Sequence, residues 1–273
     1  MELTDRPRGQ PLRVLQITDT HLYGDTGRLA GVDTEATCRA VVNAIQSRQA
    51  ASDLLLMTGD LVHDGSETGI AAYNEAKREF DGLGVPGLVI PGNHDDADLL
   101  AEVFSEGPVR RIEYLPVGDW LFVMLDSTLP ERTGGRLSDA QLQRLDDCLA
   151  AHPEHFAVVC LHHHPLPMGC RWIDRIGLSN GDDLFRVLDR HPAVRVVLWG
   201  HVHQEFDQWR NDMRLLASPS TCFQFDPQSD AFRIDARPPG YRWLQLEPDG
   251  QVATGVERLD EVPDGLDFGL PGY

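Results

Sequence analysis

Six apolar stretches of strand length recur along the chain, and each ends abruptly in a cluster of polar residues. Their apolar character is continuous rather than alternating, which is typical of strands buried on both faces. Stretches with helical spacing separate them, and Ser138 is a suitable N-cap for one of these helices. Alternating strands and helices predict an α/β fold. The apolar stretches are "LRVLQITDTH", "DLLLMTGD", "GLVIPGNHD", "WLFVMLDS", "FAVVCLHHH" and "VRVVLWGHVH", and the predicted helices cover about 33–48, 67–83, 138–151 and 180–190.

The pattern changes after about residue 211, where short strand candidates are broken by proline and glycine. We expect these strands to form a meander attached to the same core. Because no linker rich in serine and glycine divides the chain, we predict a single domain over residues 12–255. Residues 256–273 are predicted to form a short acidic tail, whose order the sequence does not determine.

Composition narrows the classes of function. The chain has 273 residues, with 24 Lys and Arg against 43 Asp and Glu, so its formal net charge is −19. Such an acidic chain is poorly suited to neutralise phosphates or anionic lipid, so we expect neither nucleic acid nor a membrane as partner. The apolar runs are too short to span a bilayer, and the N-terminus has no hydrophobic signal core. Five scattered cysteines without a CxxC pair indicate free thiols, so we expect a cytoplasmic protein.

The polar clusters that end the apolar stretches carry the candidate chemistry. Ligands of open α/β sheets bind beyond the carboxyl ends of the strands, so these clusters should converge in space. They offer carboxylate and amide oxygens and imidazoles, which are ligands of Zn²⁺, Mn²⁺ and iron, and they offer no thiolate. In "DTH" and "HVH" the two outer side chains share one side if the backbone stays extended. The candidates are Asp19, His21, Asp60, Asp64, Asn93, His94, Asp95, His162, His163, His164, His201 and His203.

Each cluster taken alone has an ordinary structural explanation. An Asp-x-His pair can cap a helix, "GDLVHD" and "GNHD" can form turns, and "HHHP" can be a surface loop before proline. A buried, hydrogen-bonded pair of histidines would explain "GHVH". The coincidence of five clusters in the same context, with complementary ligand types, favours a metal site.

The series "DTH", "GDLVHD", "GNHD", "HHP" and "GHVH", in this order and at these intervals, resembles the calcineurin-like metallophosphoesterase superfamily. Other stretches, among them "PSTCFQF" and "PGYRWLQL", resemble the bacterial class III cyclic-nucleotide phosphodiesterases. The resemblance runs from about residue 12 to about residue 250. It implies a four-layer α/β/β/α sandwich of two mixed sheets flanked by helices, with a dinuclear metal site at the carboxyl ends of the strands.

The resemblance also implies which residues bind two divalent metal ions, with Fe²⁺ and Mn²⁺ expected and Zn²⁺ as the alternative. Among the three consecutive histidines, His163 is the implied ligand because it stands two residues before proline, as in the H-x-P motif. Whether His162 or His164 contributes to the site stays open. The implied ligands are Asp19, His21 and His203 for one ion and Asn93, His163 and His201 for the other, with Asp60 bridging the two ions.

The implied reaction is the hydrolysis of 3′,5′-cyclic AMP to 5′-AMP by a hydroxide held between the two ions, which would lower cellular cyclic AMP. His94 would present one ring nitrogen to the substrate, and a hydrogen bond from its other nitrogen to Asp64 would orient it. His63 occupies an unconstrained position within "GDLVHD", and we expect it at the edge of the site. The substrate is expected to contact His21, Asp60, Asn93, His94, His163 and His203.

Two alternatives stay open at this point. A broader phosphodiesterase that acts on 2′,3′-cyclic nucleotides or other phosphodiesters would use the same chemistry. A catalytically weak regulator that binds nucleotide or metal would be expected to lack ligands or His94, all of which are present. The sequence distinguishes neither adenine from guanine specificity nor a monomer from a homodimer.

Overall fold

The structure is a computed structural model of the chain, and it describes residues 6–24, 27–48 and 52–272. Each of the six apolar stretches forms a strand, and a helix lies in each of the four stretches predicted as helical. In chain order the elements are β1 (Leu12–Ile17), β2 (Arg28–Leu29), β3 (Val32–Asp33), α1 (Thr34–Arg48), β4 (Leu54–Thr58), α2 (Gly65–Asp81), β5 (Gly87–Ile90), α3 (Ala97–Val103), β6 (Val109–Arg110), β7 (Tyr114–Val117), β8 (Trp120–Met124), α4 (Asp139–Ala151), β9 (Phe156–Cys160), a 3₁₀ helix (Ile173–Ile176), α5 (Gly181–Leu188), β10 (Val194–Trp199), β11 (Phe206–Arg210), β12 (Met213–Ala217), β13 (Gln224–Phe225), β14 (Ile234–Asp235), β15 (Gly240–Leu246) and β16 (Val252–Arg258).

Two mixed sheets of six strands form the centre of the molecule. The first has the order β16-β15-β1-β4-β5-β6, in which β1, β4, β5 and β6 are parallel to one another and β15 pairs antiparallel with both β1 and β16. The second has the order β11-β12-β10-β9-β8-β7, with four parallel strands between two antiparallel edge strands. The carboxyl ends of the parallel strands within a sheet therefore lie at one edge.

The two sheets face each other across a buried apolar layer. Because side chains alternate along a strand, Leu56 of β4 and Leu198 of β10 point into this layer and belong to one cluster. Their neighbours Leu55 and Val197 belong instead to two separate clusters that include residues of the helices on the outer faces. The fold is therefore the α/β/β/α sandwich that the resemblance implies.

The C-terminal strands do not form the predicted meander. β12 pairs in parallel with β10 in the second sheet, whereas β15 and β16 extend the first sheet beside β1. The chain thus crosses between the sheets after β12, which the short spacing of the strand candidates did not reveal. β16 also continues to Arg258, past the predicted end of the domain at residue 255.

The described part of the predicted tail packs against the domain. Leu266 and Leu270 contact the apolar cluster on the outer face of the second sheet. The backbone N–H of Asp267 donates to the carbonyl oxygen of Ala30 over 2.9 Å.

Helix boundaries follow their capping chemistry. Ser138 caps α4 as predicted, and Gln141 completes a capping box with it. The sequence did not predict α3, which has only seven residues and is started by the side chain of Asp96 accepting from two backbone N–H groups. Within the described ranges, no helix combines the length and the apolar character needed to cross a membrane.

Candidate metal centre

A left-handed backbone directs the predicted ligands into the site. Eight non-glycine residues in the described part of the chain have a positive φ, and five of them are predicted ligands with φ between 45° and 66°. Such residues are uncommon and cluster at functional sites, where the surrounding structure offsets their strain. The backbone of "DTH" and "HVH" is therefore not extended, because both outer residues of each motif are left-handed. The five residues are Asp19, His21, Asp60, His201 and His203.

Three of the predicted ligands converge in a fully buried group, Asp19, His21 and His203. Their ligand atoms lie within 4.8 Å of one another. Nε2 of His203 is 3.2 Å from Nε2 of His21 and 3.5 Å from Oδ1 of Asp19. Burial lowers the pKa of His21 well below its usual value, so this imidazole is neutral, as metal binding requires.

A second buried group contains Asp60, His162 and His201, whose ligand atoms also lie within 4.8 Å of one another. Nε2 of His162 is 3.2 Å from Oδ2 of Asp60 and 3.2 Å from Oδ1 of Asn93. Nε2 of His201 is buried and has no hydrogen-bond partner among the residues that the structure describes. Buried polar atoms normally have partners, so this nitrogen fits a metal ligand better than a structural role.

Asp60, a member of the second group, also lies close to the first. Its Oδ2 is 3.8 Å from Nε2 of His21 and 3.2 Å from Nε2 of His162, and its Oδ1 accepts from the backbone N–H of His94 over 2.9 Å. Although burial opposes ionisation, the neighbouring histidines, His162 first, hold the pKa of this carboxyl well below its usual range. Burial lowers the pKa of His162, but the Asp60 carboxylate outweighs it and raises that pKa to about 9. Asp60 is thus a carboxylate in the position that a bridging ligand requires.

The structure places His162, not His163, beside Asp60 and Asn93, which corrects the expectation from the H-x-P spacing. Nε2 of His163 donates to the carbonyl oxygen of Thr133 over 3.2 Å, so Nδ1 accepts from the hydroxyl of Ser127 over 2.8 Å. Both ring nitrogens of His163 therefore bond residues outside the group of Asp60, His162 and His201.

The position of the strand end is the signal that the sequence analysis missed. Asp19, Asp60 and His201 each stand two residues after the last residue of a strand, and β9 ends at Cys160, two residues before His162. Counting forward from the apolar run therefore selects His162, whereas counting back from proline selects its neighbour. His164 stacks on the ring of His201, with centroids 5.6 Å apart.

His94 is half-buried next to the first group. Its ring centroid lies 5.0 Å from that of His21, and its Nδ1 donates to the carbonyl oxygen of His63 over 2.7 Å. That carbonyl therefore orients His94, a function that the sequence analysis assigned to Asp64. A hydrogen bond between Asp64 and His94 stays a prediction.

Asp95 holds two of the site loops together, a role that the sequence analysis did not assign. Its carboxylate accepts from the backbone N–H groups of Leu61, Val62 and Gly92 at 3.1, 3.2 and 2.8 Å. Burial, with the nearby charge of Asp60, raises the pKa of Asp95 to about 7. The last residue of "GNHD" thus joins the loop after β5 to the loop after β4.

The profile of the calcineurin-like phosphoesterases matches residues 12–205 of the chain. The chain belongs to this family. It is 41% identical over 261 residues to the 3′,5′-cyclic adenosine monophosphate phosphodiesterase CpdA of Pseudomonas aeruginosa, which covers 95% of this chain and 94% of that protein. It is 39% identical over 264 residues to CpdA of Escherichia coli K12, covering 96% and 95%. A 3′,5′-cyclic-nucleotide phosphodiesterase of Nostoc is 39% identical over 250 residues, covering 91% and 93%.

Solved structures show the same fold of this calcineurin-like phosphoesterase at lower identity. A dimetal phosphatase from Danio rerio superposes with a TM-score of 0.61 at 17% identity, covering 90% of this chain and 98% of that one. GAP50, the anchor in the inner membrane complex of Plasmodium, also has a TM-score of 0.61, at 14% identity, covering 94% and 90%. The likeness to both structures is one of fold alone.

Proposed function

We propose that this protein is a metal-dependent phosphodiesterase that hydrolyses 3′,5′-cyclic AMP to 5′-AMP and thereby lowers the cellular level of cyclic AMP. The observation that carries the proposal is the convergence of two buried groups of ligands on either side of Asp60. The identity of 41% and 39% to two cyclic AMP phosphodiesterases, over nearly the whole chain, supports the choice of substrate.

The donor set suits two divalent cations, because it combines carboxylate and amide oxygens with imidazoles that are neutral or become so on binding. We propose Fe²⁺ or Mn²⁺, with Zn²⁺ as the alternative for the same donors. Such cations would lower the pKa of a bound water and would stabilise charge on the phosphate oxygens. The proposed ligands are Asp19, His21 and His203 for one cation and Asn93, His162 and His201 for the other, with Asp60 shared.

His94 supplies the proton for the leaving group in this proposal. An oxygen from water bonds to phosphorus, the bond between phosphorus and the 3′-oxygen breaks, and the departing oxygen takes a proton from the doubly protonated ring of His94. Nδ1 of His94 keeps its own proton on the carbonyl of His63, so the proton that moves is the one on Nε2. General acid catalysis of this kind contributes a factor of about 10² to 10⁴ in rate.

We also propose that the protein acts in the cytoplasm on a small, diffusible nucleotide. All five cysteines, each within the described ranges, are free thiols, which suits a reducing compartment. The formal net charge of −19 disfavours nucleic acid as a substrate.

A substrate panel tests the proposed function. The protein, loaded with Mn²⁺ or Fe²⁺, is assayed for kcat/KM on 3′,5′-cyclic AMP, 3′,5′-cyclic GMP, 2′,3′-cyclic AMP and an aryl phosphodiester. We expect the highest kcat/KM for 3′,5′-cyclic AMP, with 5′-AMP as product, and no turnover by Asp60→Ala, which should lose bound metal. Turnover confined to 2′,3′-cyclic AMP and the aryl diester would instead identify a broader phosphodiesterase.

A further inference from the structure

The ring of His63 contacts two other rings beside the buried ligands. Its centroid is 5.1 Å from that of Tyr23 and 4.9 Å from that of His94. The rings of His63 and His94 are nearly parallel, with 19° between their planes. Since the carbonyl oxygen of His63 also accepts from Nδ1 of His94, one residue contacts both the face and the edge of the His94 ring.

The ring of His63 also faces His21. Nδ1 of His63 lies 3.4 Å from Nδ1 of His21, whereas Nε2 of His21 is directed at Nε2 of His203, 3.2 Å away. One nitrogen of His21 is thus directed into the proposed metal group, and the other at His63. A metal-bound histidine commonly donates its second ring N–H to an acceptor, which fixes the ring and increases its basicity as a ligand.

We propose that His63 is a positioning residue that acts on two members of the site at once. Through Nδ1 it orients His21 as a metal ligand, and through its ring it holds His94 in place for proton transfer. This inference rests on the proposed function for the roles of His21 and His94. His63 would thus have a specific role, although the "GDLVHD" motif leaves its position unconstrained.

Two substitutions separate these contacts. His63→Phe keeps an aromatic ring against His94 but removes the nitrogen that faces His21. His63→Asn keeps a polar atom near the position of Nδ1 but removes the ring. His63→Ala removes both, and His155→Ala, which changes a histidine whose Nδ1 lies 3.0 Å from Oε1 of Glu154 instead, is the matched control.

The experiment has two readouts on the full chain. The first is the affinity and stoichiometry of Mn²⁺ binding to the metal-free protein, measured by isothermal titration calorimetry without substrate. The second is kcat and KM of the Mn²⁺-saturated protein for 3′,5′-cyclic AMP and for an aryl phosphodiester.

We expect His63→Phe to weaken Mn²⁺ binding about 10-fold or more, as for other residues that hydrogen-bond metal ligands, and to lose less kcat than His63→Asn once saturated. We expect His63→Asn to bind Mn²⁺ nearly normally but to lose roughly 10-fold or more in kcat with little change in KM, because misplaced catalytic groups act mainly on the rate. His63→Ala should show both losses, and His155→Ala neither.

Three results would overturn the proposal. Unchanged Mn²⁺ affinity in His63→Phe would remove the role toward His21, and unchanged kcat in His63→Asn would remove the role toward His94. A third Mn²⁺ in the wild type that is lost in His63→Phe would make His63 a ligand, since His21, His63 and His94 also form a group of close donor atoms. A wild type that cleaves the aryl diester but not cyclic AMP would refute only the proposed substrate, because both readouts still test His63.

Discussion

Two histidines of the site, His162 and His203, have their Nδ1 atoms engaged by backbone carbonyls. Nδ1 of His162 donates to the carbonyl of Thr58 over 2.8 Å, and Nδ1 of His203 donates to that of Phe223 over 2.9 Å. When such a ring is neutral, as metal binding requires, this hydrogen bond keeps the proton on Nδ1 and leaves the Nε2 lone pair facing the group of ligands. Since the acceptors belong to the backbone, side-chain substitutions around the site do not remove them directly.

The choice between His162 and His163 is testable with a matched pair of alanine substitutions. We expect His162→Ala to lose bound metal. It should lower kcat/KM by more than the roughly 10- to 100-fold that is typical when a residue hydrogen-bonded to a metal ligand is replaced. His163→Ala should retain metal, because its ring nitrogens bond Thr133 and Ser127. Metal content by mass spectrometry and thermal unfolding separate loss of metal from loss of fold. Metal loss in His163→Ala alone would reverse the assignment.

His94→Ala should leave the metal groups intact while removing most turnover. His94 contributes its backbone N–H to Asp60, which the substitution preserves, and its ring is only half-buried. The expected decrease in kcat is about 10² to 10⁴, the usual contribution of general acid–base catalysis. Metal content and kcat are measured on the same sample. Full activity of the variant would exclude His94 as the proton donor.

Sequence alone could identify most of these residues, because their order along the chain is distinctive. It could not choose among three consecutive histidines of identical chemistry, since the choice depends on where β9 ends and on the acceptors around each ring. Nor could it assign His63, whose contacts with His21 and His94 depend on how the loops after β1, β4 and β5 come together. His21 and His63 are brought together because their neighbours Leu22 and Val62 pair in an isolated β-bridge.

At the level of elements, the loop after β10 depends on a glycine. A Cβ on Gly200 would lie 2.1 Å from Oγ1 of Thr18 and 2.9 Å from Oδ2 of Asp19, closer than atoms can approach. The backbone N–H of His201 donates to the same Asp19 carboxylate at 3.0 and 3.1 Å. Gly200 therefore allows the loops after β1 and β10 to meet across the two sheets.

Gly200→Ala should displace the carboxylate of Asp19. We expect weaker metal binding and a loss of about 1–3 kcal/mol in the free energy of unfolding, the usual range for overpacking. Metal titration and urea denaturation provide the measurements. Gly272→Ala is the control, because a Cβ there meets no atom within 4 Å. If the two variants had the same metal affinity and the same free energy of unfolding, the close approach at Gly200 would be needed for neither.

The six strands that lie in the apolar stretches were predictable from the sequence because they are largely buried on both faces, whereas their pairing was not. The pairing of β15 with β1 joins Leu246 to Leu12, residues that are far apart in the chain and have no local pattern in common. The local sequence pattern therefore predicted a meander, whereas β12 belongs to the second sheet and β15 and β16 belong to the first.

At the scale of the whole molecule, the site joins the two sheets. Asp19, Asp60 and Asn93 follow strands of the first sheet, whereas His162 and His201 follow strands of the second. Buried carboxylates and imidazoles from both sheets thus meet in the region where the metal ions are proposed. Metal binding should consequently stabilise the sandwich as well as enable catalysis.

Removal of metal by a chelator should lower the melting temperature and abolish activity. A ligand that binds only the folded state adds about 2.7 kcal/mol at 100 times its dissociation constant. Differential scanning calorimetry with and without added Mn²⁺ measures the shift, and Asp60→Ala serves as the control that should not respond. A melting temperature that is independent of metal in the wild-type protein would contradict a site that links the sheets.

The most direct test of the central claim is a crystal structure of the Mn²⁺-loaded protein with anomalous diffraction data. We predict two anomalous peaks on either side of Asp60, one contacting Asp19, His21 and His203 and the other contacting Asn93, His162 and His201. A single peak, or a peak bound by His163 in place of His162, would contradict the account.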